Sequence, residues 1–452
     1  MARDDRLLNV EDPSVDDTRS EAQRDRDRVL YSSALRRLGG VTQVVSASEG
    51  LVIHNRLTHT LKVAQVARRL AERLMAKTPE AVLKAIGGVD ADAAEVAALA
   101  HDLGHPPFGH IAEKELQKIA ADEKALGDAA LTDGFEGNAQ SFRIVARQSV
   151  RTFHYTGLNL TRASLNAILK YPWLRGEGKS DKREEKWGAY QDEKESFEFA
   201  RKESRPFVRS AEAEIMDWAD DIAYALHDTE DFYRAGLIPL DRLIAGRDEE
   251  ERARFLGYYF KYKKMTDAVQ QKQAEQDLGV AIGSLAPRER FSGSIAQRAT
   301  LRSWISNRIG EYVRAFRLRE PKEDESVAVI QPGALREIDI LKQLTWYYVI
   351  RNPALATQQA GQRNLIRQLF DIFWTAARDE QDELLPRVVA DRVRAVREDG
   401  QMDDVAKRRA ITRLVVDLIA SMTEDQALRI HHKLVGVAPG SVMDQLLHHS
   451  IG

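Results

Sequence analysis

The chain has 452 residues, 67 Lys and Arg against 70 Asp and Glu, a formal net charge of −3, and no cysteine. That balance excludes a chain-wide polybasic or polyacidic surface as the basis of function. The lack of thiols excludes disulfides and thiolate metal ligands. At 43% hydrophobic residues the chain can bury a large core, and no apolar run approaches the roughly 20 residues of a membrane span.

Residues 1–25 are rich in Asp, Arg and Ser, with no apolar segment behind the charged start. They are expected to form a flexible N-terminal arm on a cytoplasmic protein. A loop containing Gln43 and Glu49-Gly50 leads into Leu57–Lys77, which has helical periodicity. His59, Val63, Val66, Leu70 and Leu74 share one face of that helix, so His59 points toward the core. Residues 92–103 are apolar on nearly all sides, the mark of a buried helix, and Gly104, Pro106, Pro107 and Gly109 break it. Gly134–Gln140 reads as a turn and a helix start, and Asn159–Lys170 as an amphipathic helix stopped by Tyr171-Pro172-Trp173. Residues 175–205, Gly-, Lys- and Glu-rich with Trp187, Tyr190 and Phe197, read as a long surface excursion. Another helix covers 208–236. Helical patterns continue at 250–275, 297–318, 334–350, 362–378, 384–398, 404–422 and 424–435, and only Ser326–Ile330 alternates as a strand does. The expected class is all-α, an N-terminal helical bundle with a helical C-terminal extension.

Function is concentrated where the buried helix breaks. His101, Asp102, His105, His110 and Glu113 crowd into one short stretch, and buried ionisable groups are costly unless paired or bound to a metal. A second set, Asp220, Tyr224, His227 and Asp228, falls at i, i+4, i+7 and i+8 on one helical face. Asp220 and Asp221 are adjacent carboxylates in an apolar helix, which points to a divalent cation. The inward-pointing candidates are His59, His101, Asp102 and Asp220, two imidazoles and two carboxylates from three helices. Such a set suits Mg, Mn, Fe, Co or Zn, with positions left for water and substrate. A helix C-terminal charge pair would account for His101-Asp102 alone, but not for His105 and His110.

The strings Arg56-Leu57-Thr58-His59, His101–Ile111, Phe135–Gln140 and Asp220–Tyr224 resemble, in order, the HD-domain phosphohydrolases. The likeness is to the bacterial deoxyguanosine-triphosphate triphosphohydrolase branch, and runs from about residue 26 to 235, with echoes at Leu341–Leu344 and Ser421–Thr423. The resemblance implies an HD-domain core over 26–235 and a C-terminal region, 236–452, that completes the site and carries an oligomer or regulatory surface. It implies hydrolysis of a deoxynucleoside triphosphate to deoxynucleoside and intact triphosphate. His59, His101, Asp102 and Asp220 would hold a divalent metal, Mg or Mn foremost. His110 would be the catalytic histidine, polarised by Glu113, with His105 beside the phosphates. Whether His110 protonates the leaving oxygen or helps activate water is left open by the spacing.

By the same resemblance, Arg56, Lys170, Tyr171 and Lys186 would contact the triphosphate. Gln43 and Asp228 would bond the sugar 3′-hydroxyl, and Tyr224 would pack on the sugar. Asp220 is preferred to Asp221 because it sets Tyr224 and Asp228 on its own face, as the family pattern requires. His227 stays open between site and core. The remaining histidines (His54, His154, His431, His432, His448, His449) are expected in surface or local structural roles. Arg288, Arg290, Arg298, Arg302 and Arg308 read as a solvated face. A homo-oligomer, a hexamer by resemblance, and control by an allosteric dNTP or single-stranded DNA are further implications. The alternatives are an HD phosphohydrolase acting on monophosphates or cyclic nucleotides, and a nucleotide-sensing or DNA-binding regulator.

Overall fold

In the computed structural model, residues 2–8, 16–43, 54–177, 181–285, 289–322 and 325–438 are described. Glu49-Gly50, Arg288, His448 and His449 lie outside them. The principal helices are α1 (Glu21–Leu30), α2 (Arg56–Lys77), α3 (Ala91–Ala100), α4 (His110–Ala120), α5 (Gly137–Arg143), α6 (Arg162–Ile168), α7 (Lys194–Arg201) and α8 (Ala211–Arg234). They continue as α9 (Glu249–Tyr262), α10 (Ala268–Gly283), α11 (Ile295–Ala315), α12 (Pro332–Thr345), α13 (Pro353–Arg378), α14 (Arg387–Glu398), α15 (Asp404–Ala420) and α16 (Glu424–Leu434). The fold is all-α, with one small antiparallel pair, Phe316–Leu318 against Ala328–Ile330.

Helix starts follow local chemistry. Asn55 caps α2 by accepting from the Thr58 amide at 2.9 Å, and the Asp90 carboxylate accepts from the Asp92 and Ala93 amides ahead of α3. Ser210 does the same for α8. The expected single helix over 250–275 is two, because Lys264 takes a left-handed φ of 54° and turns the chain between α9 and α10. The pattern at 297–318 likewise ends at Ala315, and Phe316 leaves it for the strand pair.

Two hydrophobic clusters organise the helices. In the first, α3 lies against α1, α2, α6 and α8, and α8 in turn packs on α12. This cluster continues across residue 235 as far as Val349. In the second, α13 packs on α4, α15 and α16, with Ala112, Leu116, Phe370, Phe373 and Val416 fully buried. The helices of the metal-ligand candidates therefore belong to the first cluster, and the helix that begins at His110 belongs to the second.

Three sequence expectations are corrected. The arm is docked where it is described: the Arg6 guanidinium pairs with Asp25 at 2.6 Å and with Glu21, and Arg3 pairs with Glu212. Charges that suggested solvation are met by opposite charges on the body, and Ser20 opens α1 with a capping box. The stretch 175–205 is no surface excursion, since Trp187 and Tyr190 are buried with Trp173 and Ala139 in a small cluster of their own. Its charged residues face outward while its aromatics turn in. Arg308 does not share a solvated face with its neighbours; it is buried and paired with Glu337 at 2.9 Å.

Candidate active site

The break after α3 shapes the site. Gly104 lies against the start of α5, where a Cβ would come within 2.1 Å of the Gly137 carbonyl oxygen and 2.3 Å of the Ser141 amide. Its own amide donates to Ser141 Oγ at 2.9 Å, and that hydroxyl donates to the His101 carbonyl at 2.8 Å. Gly104→Ala is expected to cost roughly 3 kcal/mol, the upper part of the overpacking range, because backbone is what must move. Urea denaturation of the variant measures this, and an unchanged midpoint would contradict it. Beyond Gly104, Phe108 and Gly109 both take positive φ, 68° and 57°. The turn delivers His110 to the first position of α4, on the strength of about 1–3 kcal/mol of strain at Phe108.

Three of the four proposed ligands converge: one nitrogen each of His59 and His101 and one oxygen of Asp220 lie within 4.8 Å of one another. His59 Nε2 is 3.1 Å from Asp220 Oδ1, and His101 Nε2 is 3.4 Å from Asp102 Oδ2 and 3.7 Å from Asp220 Oδ1. His101 Nδ1 lies 2.6 Å from the Ala98 carbonyl oxygen. A carbonyl only accepts, so Nδ1 carries the proton and the Nε2 lone pair faces the carboxylates. That nitrogen is buried with no hydrogen-bond partner, the arrangement a metal-ligating histidine adopts. The donor set fits a divalent cation. Electrostatics agree: burial opposes charge on His101, yet Asp102 and Asp220 push it up to about 8. Burial also opposes ionisation of Asp220, but Lys170, His59 and His101 hold its carboxyl below the ordinary value. The pocket favours a positive occupant.

Asp102 faces two ways. Its Oδ2 accepts from Arg56 Nη1 at 2.7 Å, and its Oδ1 is 3.1 Å from His105 Nδ1. Arg56 is thus committed to a carboxylate. His105, buried and beside Arg56, is driven down to about 4, so it is neutral near pH 7.

His105, His110 and Glu113 form a second group. His110 Nδ1 is 2.7 Å from Glu113 Oε2. The other carboxylate oxygen accepts from Lys186 Nζ at 2.8 Å and the Gly137 amide at 3.2 Å. Burial would raise Glu113, but His110 and Lys186 hold it well below its ordinary value. An ionised Glu113 accepts, so His110 donates from Nδ1 and turns its exposed Nε2 outward. Lys186 also bonds Glu136 at 2.9 Å, and Glu136, buried beside Glu113, is pushed upward. Lys186→Met removes the one ammonium between two buried carboxylates, so their protonated forms gain. The variant should therefore melt below wild type at pH 7.5, with the gap closing toward pH 5 as protonation relieves the repulsion. A gap independent of pH, read by thermal denaturation, would refute this.

The sugar-side candidates also come together. Asp228 Oδ2 and Gln43 Oε1 are buried acceptors with no hydrogen-bond partner among the described residues. Burial and Asp231 push Asp228 well above its ordinary value. Tyr224 lies on the same helix with Lys342 Nζ 5.8 Å from its ring centroid. Lys170 is held by Asp217 at 2.8 Å and Asp220 at 3.4 Å, and Tyr171 stacks near Trp173. Asp221 turns away to pair with Lys342, which separates it from Asp220. His227 is buried outside both groups, 5.8 Å from the His54 ring, and His54 itself bonds Asp231.

Two supports carried no sequence signal. Glu424, at the start of α16, accepts from the Thr42 amide at 2.7 Å and the Phe108 amide at 3.1 Å. Arg37 donates to the Leu103 and His105 carbonyls at 2.6 and 2.8 Å and to the Met422 carbonyl at 3.1 Å. Both tie the strained turn to the C-terminal helices. Only the echo at Ser421–Thr423 lay near them.

A model of the HD domain matches residues 56–225, and one of the phosphohydrolase-associated domain matches residues 328–433. With the histidine–carboxylate cluster, these define a metal-dependent phosphohydrolase. A deoxyguanosinetriphosphate triphosphohydrolase-like protein of Streptomyces coelicolor is 36% identical over 439 residues, covering 92% of this chain and 93% of its own. One of Corynebacterium efficiens is 35% identical over 442 residues, 93% of each. The chain belongs to the deoxyguanosinetriphosphate triphosphohydrolase-like family of HD-domain proteins. No helix among the described residues is long and apolar enough to cross a membrane.

Proposed function

We propose that the protein hydrolyses deoxynucleoside triphosphates to the deoxynucleoside and inorganic triphosphate. The observation that carries this is the junction at Gly104–Gly109, with a cation-favouring cluster on one side and a carboxylate-oriented histidine on the other. His59, His101, Asp102 and Asp220 would hold the metal, Mg or Mn by preference. A divalent cation there supplies charge neutralisation at a phosphoryl oxygen and lowers the pKa of an attacking water.

The chain's own residues do the rest. Glu113 fixes the His110 proton on Nδ1, so Nε2 exchanges a proton with the reacting group at the α-phosphorus. Neutral His105 lies beside it, with ring centroids 5.0 Å apart. Lys186, Lys170 and Tyr171 line the approach of the phosphates, and Arg56 keeps Asp102 ionised and oriented. The phosphoryl group needs positioning and charge compensation more than covalent help. Two unpaired buried acceptors, Asp228 Oδ2 and Gln43 Oε1, suit a hydroxyl donor such as the sugar 3′-OH. Tyr224 supplies the apolar face against the sugar.

The test is a panel of the four dNTPs, singly and mixed, with Mg, Mn and Co, following triphosphate release. Release of inorganic triphosphate from at least one dNTP is expected. Phosphate or a nucleotide as the product, or none under any combination, would discard the proposal.

A further inference from the structure

Away from both clusters, a cavity of about 310 Å³ lies between the N-terminal arm, the chain after α7 and the start of α8. That volume is at the low end of the ~300–1,000 Å³ typical of small-molecule sites. Among the described residues, five arginines and one lysine line it against two carboxylates, Glu203 and Glu212. Arg3 is paired with Glu212, and Arg209 with Asp217 at 2.6 Å. Arg201 and Arg205 are different. Arg201 donates to Asn166 Oδ1 at 2.9 Å and to the Arg205 carbonyl, and Arg205 donates to the Lys322 carbonyl. Neither forms an ion pair with a described residue. Neutral acceptors orient these two guanidiniums and leave their charge uncompensated. Burial and the nearness of Arg205 push Arg201 down to about 10, a sign that the two repel.

We propose that this cavity is a regulatory site for a chain of two or three phosphates, free or carried by a nucleoside, held by Arg201 and Arg205. A guanidinium fork binds phosphate oxygens two at a time, and two adjacent unpaired forks match successive phosphates better than a single carboxylate. Ser210 and Ala211, at the N-terminus of the 24-residue α8, also line the cavity and favour an anion. The wall connects to the active site through one ion-pair relay. Arg209 donates to the Lys170 carbonyl at 2.7 Å and holds Asp217, and Lys170 bonds both Asp217 and Asp220. An anion drawing on Arg209 therefore resets Lys170 against Asp220, a consequence that rests on the reading of Asp220 as a metal ligand.

Titration calorimetry with sodium triphosphate in EDTA tests the site without the metal or turnover. Arg205→Ala, whose loss costs the fold only one bond to an exposed loop, should weaken a binding event at least tenfold, and Arg201→Lys should weaken it less than Arg201→Ala. Unchanged affinity in Arg205→Ala, or equal competition by sulfate at matched ionic strength, overturns the proposal. Running dGTP beside triphosphate separates the sources. If Arg205→Ala weakens both, phosphates alone are read; if only dGTP, the nucleotide is the ligand. At fixed free metal, triphosphate should alter kcat for a dNTP in wild type but not in Arg205→Ala; an equal response in both removes the regulatory role. Absence of any dNTP hydrolysis would instead count against the proposed activity and leave the calorimetry to decide the cavity.

Discussion

Asp102→Ala is expected to abolish metal-dependent hydrolysis and to destabilise the protein by roughly 3–5 kcal/mol, the cost of stranding one partner of a buried ion pair. The stranded partner is Arg56, itself buried, whose guanidinium holds Asp102 at 2.7 Å. Asp102→Asn keeps the shape and a hydrogen-bond acceptor for Arg56, so it should lose activity with less damage to the fold. The pair also sets a pH dependence. Burial raises the Asp102 carboxyl, but Arg56 and His101 hold it well below its ordinary value of 3.8. Its contribution is therefore present above about that pH and is lost as pH falls through the lower folded value. Urea denaturation from pH 7 to 3 should show wild type losing its advantage over Asp102→Ala in the acid range. An Asp102→Ala protein that still released triphosphate at an appreciable rate would end the metal-ligand assignment.

The second large effect is expected at His110. His110→Ala should lower kcat by about 10²–10⁴-fold, the usual worth of a positioned acid–base group, and leave metal affinity unchanged. Glu113→Gln should approach the same loss by a different route, because a neutral amide neither fixes the His110 tautomer nor stabilises the imidazolium. Calorimetric titration with Mn and steady-state kinetics on the same preparations separate the two roles. A parallel loss of metal affinity, or a kcat within tenfold of wild type, would move His110 out of the chemistry.

Much of this site was legible in the sequence because its groups sit on regular helices. His59 could be placed by the apolar stripe of its own helix, and Asp220, Tyr224 and Asp228 by their spacing on one face. The fourfold spacing also separated Asp220 from Asp221, which the structure pairs with Lys342. What stayed hidden depends on long-range pairing. Arg56 looks like a phosphate ligand by its distance from His59, and only the fold reveals that it is bound to Asp102. Arg37 and Glu424 act through backbone groups of a distant turn, which leaves no periodic trace. The stretch 175–205 misled because its composition is that of a solvated loop, while its few aromatics decide where it packs. The arm misled for the converse reason, its charges being complementary to a surface that only folding assembles.

The division of the site between two hydrophobic clusters has a consequence for how activity can be lost. His59, His101 and Asp220 stand on or beside helices of the first cluster, while α4 is seated through Ala112, Leu116 and Ala120 in the second. Cooperative units of a protein open independently, each with its own free energy. Opening of the C-terminal unit alone would carry His110 away from a cation that stays bound, giving an inactive, metal-loaded chain that is not unfolded. Hydrogen exchange of α13 and α15, rather than global melting, would then be the quantity that tracks the fraction of competent enzyme.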